Sequence, residues 1–276
     1  MESLYKCLGL SRQAFHQHCK RAEQQAIMSE ELVSDLKKLR AEHPRLSCRK
    51  MYRILKPEHL GRDRFEQFCF QKGFKLYRKR SYHRTTDSRG VTRFDNLLLG
   101  RELTGVNQVW VSDITYYRIA EQHYYITLIM DRFSRAIVGY SAASTLHTDV
   151  TTLPALKQAL DSRKPGRGLI LHSDGGGQYY CKEFKALTSS RELINSMGKC
   201  AYESPHAERL NGTIKNDYLA YYRPSNLTEL TAMLERAAYN YNNYRPHTSL
   251  KELTPTEFEK NTNTTFGTKA KKVLEP

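Results

Sequence analysis

The chain has 276 residues, 39% of them hydrophobic, enough for one sizeable core with one or two smaller units. Its 44 lysines and arginines against 29 acidic residues leave a formal charge of +15, so a polyanion is the physical counterpart to look for. No apolar run approaches bilayer-spanning length and no leader-type stretch follows Met1, so no membrane partner is expected and a cytoplasmic, nucleoid-associated location is. The cysteines, Cys7, Cys19, Cys48, Cys69, Cys181 and Cys200, form no CxxC pair, which argues against a disulfide framework and the usual zinc spacings.

The positive charge is concentrated early: residues 1–105 hold 23 basic and 12 acidic residues, the remainder 21 and 17. Over 29–75 the apolar residues recur with helical spacing, Leu32, Leu36 and Leu39, then Met51, Ile54 and Leu55, then Phe65, Phe68 and Cys69. Ser29 and Ser47 stand where N-caps belong, and Pro57 and Gly73 where helices stop, so a small three-helix unit is expected, of which helix-turn-helix folds are one kind. Arg49, Lys50 and Arg53 on or beside the middle helix are its candidate DNA contacts. The stretch 72–101 reads as a basic linker, with Arg78, Lys79, Arg80 and Arg84 among Tyr77, Tyr82 and His83, a composition suited to phosphate contact and stacking.

From Val106 the pattern changes. Segments 108–119, 124–131 and 136–141 are rich in Tyr, Ile, Val and Thr and separated by short turns, which predicts three antiparallel strands. A helix over 148–162, a strand over 168–172, a helix over 182–192, a strand over 193–197 and a helix entered at Ser204 and Pro205 follow. That order predicts an α/β fold, a mixed sheet with helices on both faces. A last helix, 227–241, precedes a tail with 261–265 and 269–272 that is expected to be poorly ordered.

Three carboxylates stand out. Asp113 shares a strand face with Val109, Val111, Thr115 and Tyr117, where an unpaired charge is costly and a cation or metal is the usual remedy. Asp174 ends the fourth strand just before Gly175, Gly176 and Gly177, which permit close approach of backbone and ligand. Glu208 lies in the first turns of its helix, with Asn211, Gly212 and Lys215 following on the same face. Asp131, beside Arg132 and Arg135, reads as a turn or salt-bridge residue, and Trp110 and His172 as packing or hydrogen-bonding residues.

The ordered motifs WVSDITYY (110–117), HSDGGGQY (172–179), AERLNGTIKNDYL (207–219) and YNNYRPHTSL (241–250), then Thr254 and Pro255, resemble transposases of the insertion-sequence-three family. The catalytic core of that family is similar to retroviral integrases and has the ribonuclease H fold. The resemblance runs from about Gly105 to Pro255, and the helical N-terminal part looks like the family's helix-turn-helix region. It implies a helical DNA-binding region over 1–75, a basic linker over 76–104, a ribonuclease H-like core over 105–222 and a C-terminal helix and tail over 223–276. It also implies that Asp113, Asp174 and Glu208 are catalytic and metal-binding, that Lys215 contacts DNA, and that Asn211 beside it is a further candidate contact. In this sequence 33 residues separate Asp174 from Glu208, slightly fewer than is usual in the family.

Oxygen-only ligands favour Mg²⁺, with Mn²⁺ able to substitute, and two ions per site suit phosphodiester cleavage followed by attack of a 3′-OH on target DNA. The partners implied are double-stranded DNA as element ends and target, a homodimer or larger oligomer on DNA, and an upstream helix-turn-helix product or fusion. Competing readings are a catalytically inactive, transposase-derived DNA-binding protein, a nuclease acting on RNA in hybrids, and a tyrosine recombinase. The last rests on the pair His206 and Arg209 and on the 18 tyrosines.

Overall fold

A computed structural model of the chain describes residues 11–76, 94–198, 205–264 and 272–273. The chain divides between Leu76 and Tyr77 into two compact units. The basic residues Arg78, Lys79, Arg80 and Arg84 lie outside the described residues.

The first unit holds α1 (Arg12–Glu42), α2 (Cys48–Leu55) and α3 (Arg62–Gln71). Leu36, Met51, Phe65 and Cys69 are fully buried between them. The Arg40 guanidinium ties the unit together by donating to the carbonyls of Pro44, Leu46 and Phe74, each at 2.9 Å. Ser47 caps α2 as expected, accepting from Lys50 N at 3.4 Å. Ser29 is not a cap. No Gly or Pro interrupts α1, its cap is Ser11, and the Ser29 hydroxyl donates back to Gln25 O at 2.7 Å, which leaves the helix unbroken.

The second unit is built on one five-stranded sheet. Strands β2 (Val109–Ile119), β3 (Gln122–Asp131) and β4 (Ile137–Ala143) run antiparallel, while β5 (Ile170–Ser173) and β6 (Ile194–Met197) join parallel to β2, in the order β4-β3-β2-β5-β6. A separate two-stranded ribbon pairs β1 (Glu102–Leu103) with β7 (Lys272–Val273). Alternation along the strands sorts side chains to two faces. Trp110, Ile129, Val138 and Leu171 pack against α4 (Thr152–Arg163) and α5 (Lys182–Ser190) through Leu156, Leu160 and Phe184. At Gly139 the helix comes so close that a Cβ would sit 2.3 Å from Ala155 O, so only glycine fits there.

Ile126, Leu128 and Met130 point the other way. They meet Leu210 of α6 (Pro205–Thr213), Ile214 of the π-helical segment Ile214–Leu219, and Leu230 and Leu234 of α7 (Leu227–Tyr244). The carboxamide of Asn242 in α7 accepts from Ile137 N and donates to Ile137 O, both at 2.8 Å, so a side chain satisfies backbone groups of edge strand β4.

At the margins of this unit the end of the basic stretch is held to the sheet: Asp95 O accepts from Met197 N at 3.3 Å, and Leu97 N donates to Ser196 Oγ at 3.0 Å, tying the segment to β6. Residues 261–264 are not loose tail but the last turn of α8 (Pro255–Thr264). That helix has a reciprocal cap, Glu257 N to Thr254 Oγ1 at 3.2 Å and Thr254 N to Glu257 Oε2 at 2.9 Å, with proline at its first position. Among the described residues no helix is long and apolar enough to cross a membrane.

Candidate active site

The pairing of β2 with β5 creates the site. Val111 lies opposite His172 in parallel register, and Asp113 and Asp174 each follow two residues further on, near enough for the charge of Asp174 to act on Asp113. On the same face Val109 and Val111 bury against Ala207 of α6, which carries Asn211 over Asp113. Asn211 Nδ2 donates to Asp113 Oδ2 at 2.6 Å, and Ile114 N donates to Asp113 Oδ1 at 3.0 Å. Asp174 Oδ1 accepts from Gly176 N at 3.0 Å, and a Cβ on Gly176 would stand 3.0 Å from that same oxygen. The glycine therefore lets the loop backbone close on the carboxylate.

The electrostatics follow from this crowding. Burial, then the negative charge of Asp174, pushes the Asp113 carboxyl up to about 7, with Glu208 adding to the rise. Burial also raises Asp174. Lys215 partly offsets the accumulation: burial lowers its ammonium, while the charge of Asp113 pulls it back up. Its Nζ stands 3.5 Å from Tyr116 O and 5.4 Å from the centre of the Tyr116 ring. The residues from Ile214 widen into a π-helix, so Lys215 enters the site from a locally unwound turn rather than from a regular α-helix.

Glu208 is exposed on the first turn of α6, and among the described residues no three carboxylate, histidine or cysteine side chains are gathered closely enough to hold one metal ion. What is present suits a hard divalent cation nevertheless: oxygen donors only, a half-buried aspartate beside a second one, and mutual repulsion that a cation would relieve.

The remaining sequence candidates separate cleanly. Asp131 is a turn residue, fully buried, its Oδ1 accepting from Phe133 N, Ser134 N and Ser134 Oγ and its Oδ2 from Asn107 N. Trp110 is fully buried and donates to Asn107 Oδ1 at 3.2 Å, while His172 is buried with Nδ1 3.0 Å from Ser196 Oγ. In the first unit Arg49 is paired with Glu66 at 3.0 Å, Lys50 is half-buried and Arg53 is exposed.

Tyr179 escaped the sequence reading. Its hydroxyl shares a buried 3.0 Å hydrogen bond with Ser112 Oγ, next to Asp113, and its ring packs edge-on to Phe184 at 5.5 Å. Burial, together with the charges of Asp174 and Asp113, raises its phenol. The tyrosine closing HSDGGGQY was the available signal, but only the fold brings it under Ser112.

The chain is similar to several known proteins. A family model described as "Integrase core domain" matches residues 104–200, and a second of the same description matches 192–255. A 31 kDa protein of insertion element IS600 from Shigella sonnei is 33% identical over 205 residues, covering 72% of this chain and 75% of the relative. The transposase InsF for insertion sequence IS3A of Escherichia coli (strain K12) is 31% identical over 160 residues, and the match spans 56% of this chain and 55% of InsF. Among solved structures, the HTLV-2 integrase catalytic core domain in complex with magnesium aligns with a TM-score of 0.48 at 23% identity, over 58% of this chain and 99% of that one.

Proposed function

This chain belongs to the insertion-sequence-three family of DNA transposases, and from that premise we propose that Asp113, Asp174 and Glu208 form its catalytic and metal-binding set for cutting element ends and joining them to target DNA. The observation that supports this reading is the crowding of Asp113, whose carboxyl burial and then the charge of Asp174 push up to about 7. Such a pair repels itself and favours a bound cation.

In this reading the three carboxylates would hold Mg²⁺ or Mn²⁺, two ions per site, with Glu208 drawn towards the aspartates when the cation binds, and the metal would supply charge stabilisation for the attacking and leaving oxygens of phosphodiester exchange. The chain's own residues do the rest. Asp113 and Asp174 are oriented by Asn211, Ile114 N and Gly176 N, so their oxygens are fixed before substrate arrives. Lys215, half-exposed over Tyr116, neutralises a DNA phosphate near the acids. Arg53 and the neighbouring Arg49 and Lys50 supply sequence-independent DNA contact from the first unit, and the arginines and lysine at 78, 79, 80 and 84 extend it. Two ends must be joined together, so an oligomer assembles on double-stranded DNA. An upstream helix-turn-helix product or fusion aids recognition of the ends.

The test is incubation of purified chain with labelled element-end DNA and Mg²⁺, resolving cleaved from joined products. Both products should form and both should vanish in EDTA. Activity persisting in EDTA overturns the metal-dependent reading, and DNA binding without either product supports the inactive alternative.

A further inference from the structure

We propose that Asn211 is a positioning residue of the site: its carboxamide clamps Asp113 through Nδ2 and offers Oδ1 to a water held by the divalent cation. The inference rests on the metal-binding role given to Asp113 above. Three observations carry it. The Nδ2 to Oδ2 contact of 2.6 Å is short for an N–H donor and joins residues 98 apart in sequence, so it fixes one carboxylate oxygen against α6 while Ile114 N holds the other from the strand. Asn211 is 6% exposed, so its carboxamide is turned inward rather than displayed to a nucleic acid. Its Oδ1 is buried and has no hydrogen-bond partner.

A buried carbonyl oxygen left unpaired is destabilising, a cost that a purely structural asparagine avoids. With Nδ2 committed to Asp113, the carboxamide plane holds Oδ1 on the same side chain, a short reach from the acids. An amide oxygen is a hard acceptor and cannot be protonated at neutral pH, so it accepts hydrogen bonds from a metal-held water whatever the state of the neighbouring carboxyls. Outer partners of this kind orient metal ligands, and their loss weakens metal binding by about 10- to 100-fold.

Replacing Asn211 by leucine keeps the branching at Cγ, removes the clamp and removes the orphan oxygen. Mn²⁺ alone is the probe, its free aquo ion counted by electron paramagnetic resonance, with Tm measured on the same full-length samples. Asn211→Leu should bind Mn²⁺ about tenfold more weakly than the wild type while its metal-free Tm stays level or rises. A merely structural asparagine gives the reverse, a lower Tm with unchanged affinity, and that result overturns the proposal. Should the leucine variant fail to fold, Asn211→Gln decides: displacing the amide by one methylene should weaken Mn²⁺ binding, and wild-type affinity overturns the role. A wild type that binds no Mn²⁺ sinks the metal-binding reading itself. Binding lost in Asp113→Asn but unaltered in both Asn211 variants sinks only the inference about Asn211.

Discussion

Asp113 and Asp131 sit on neighbouring strands a few residues apart, both raised by burial, yet they are solvated by the protein in opposite ways. The Asp131 carboxylate collects four donors from the β3–β4 turn and from Asn107 N, and it organises the chain reversal around itself. Asp113 receives one side-chain donor and one backbone N–H, and faces the charges of Asp174 and Glu208. A buried acid whose lone pairs are filled by its own fold is structural. One that the fold crowds with other acids and leaves under-donated is poised for a cation.

The largest effect expected from this contrast is on chemistry. Asp113→Asn should lower strand joining by a factor on the order of 10³ or more in a labelled-DNA assay, while DNA binding by gel shift stays near wild type. In the same assay Asp131→Asn should keep activity in the folded fraction. The cost there falls on stability: an amide group set against the turn's N–H donors should cost about 2–4 kcal/mol by denaturant titration. If Asp131→Asn is as stable as the wild type, the turn does not need its carboxylate and the comparison breaks.

A smaller effect appears in how stability depends on pH. The Asp113 carboxyl ionises near 3.8 when unfolded and at about 7 in the folded chain. The folded state therefore keeps a proton that the unfolded state has lost, so stability is greatest below the unfolded value and declines as pH rises towards about 7. Metal-free Tm should drop by about 5 °C across that window, and Asp113→Asn should flatten the part due to this group. Saturating Mg²⁺ should restore Tm at pH 7.5 in the wild type but not in Asp113→Asn. The smallest change is Tyr179→Phe, which strands the Ser112 hydroxyl and should cost about 1 kcal/mol with little effect on metal affinity.

What the sequence disclosed, and what it hid, follows the same division between local and distant causes. Strands β2 to β4 were legible because alternation and short turns act within a few residues, and Asp131 was legible because its donors Phe133 and Ser134 lie in its own turn. Asp113 and Asp174 were legible as candidates from a charge on an apolar strand face and a glycine run at a strand end. The work of Asn211 was not, since it depends on how α6 lies across β2, 98 residues away. Tyr179 was hidden for the same reason, its hydroxyl partner Ser112 lying 67 residues earlier. Local signals also misled: Ser29 has a capping residue's chemistry but answers to Gln25 O inside α1, and the Thr254 to Glu257 cap was present in the tail that composition marked as loose.

Glu208 lies exposed on the first turn of α6, and among the described residues no three metal-ligating side chains are gathered together. The direct measurement is joining of a pre-cleaved, labelled element end to target DNA in Mg²⁺ by wild type and Glu208→Gln. Joined product from the wild type and none from the variant is the result expected if three carboxylates share the metal. Joining by Glu208→Gln at the wild-type rate would contradict it.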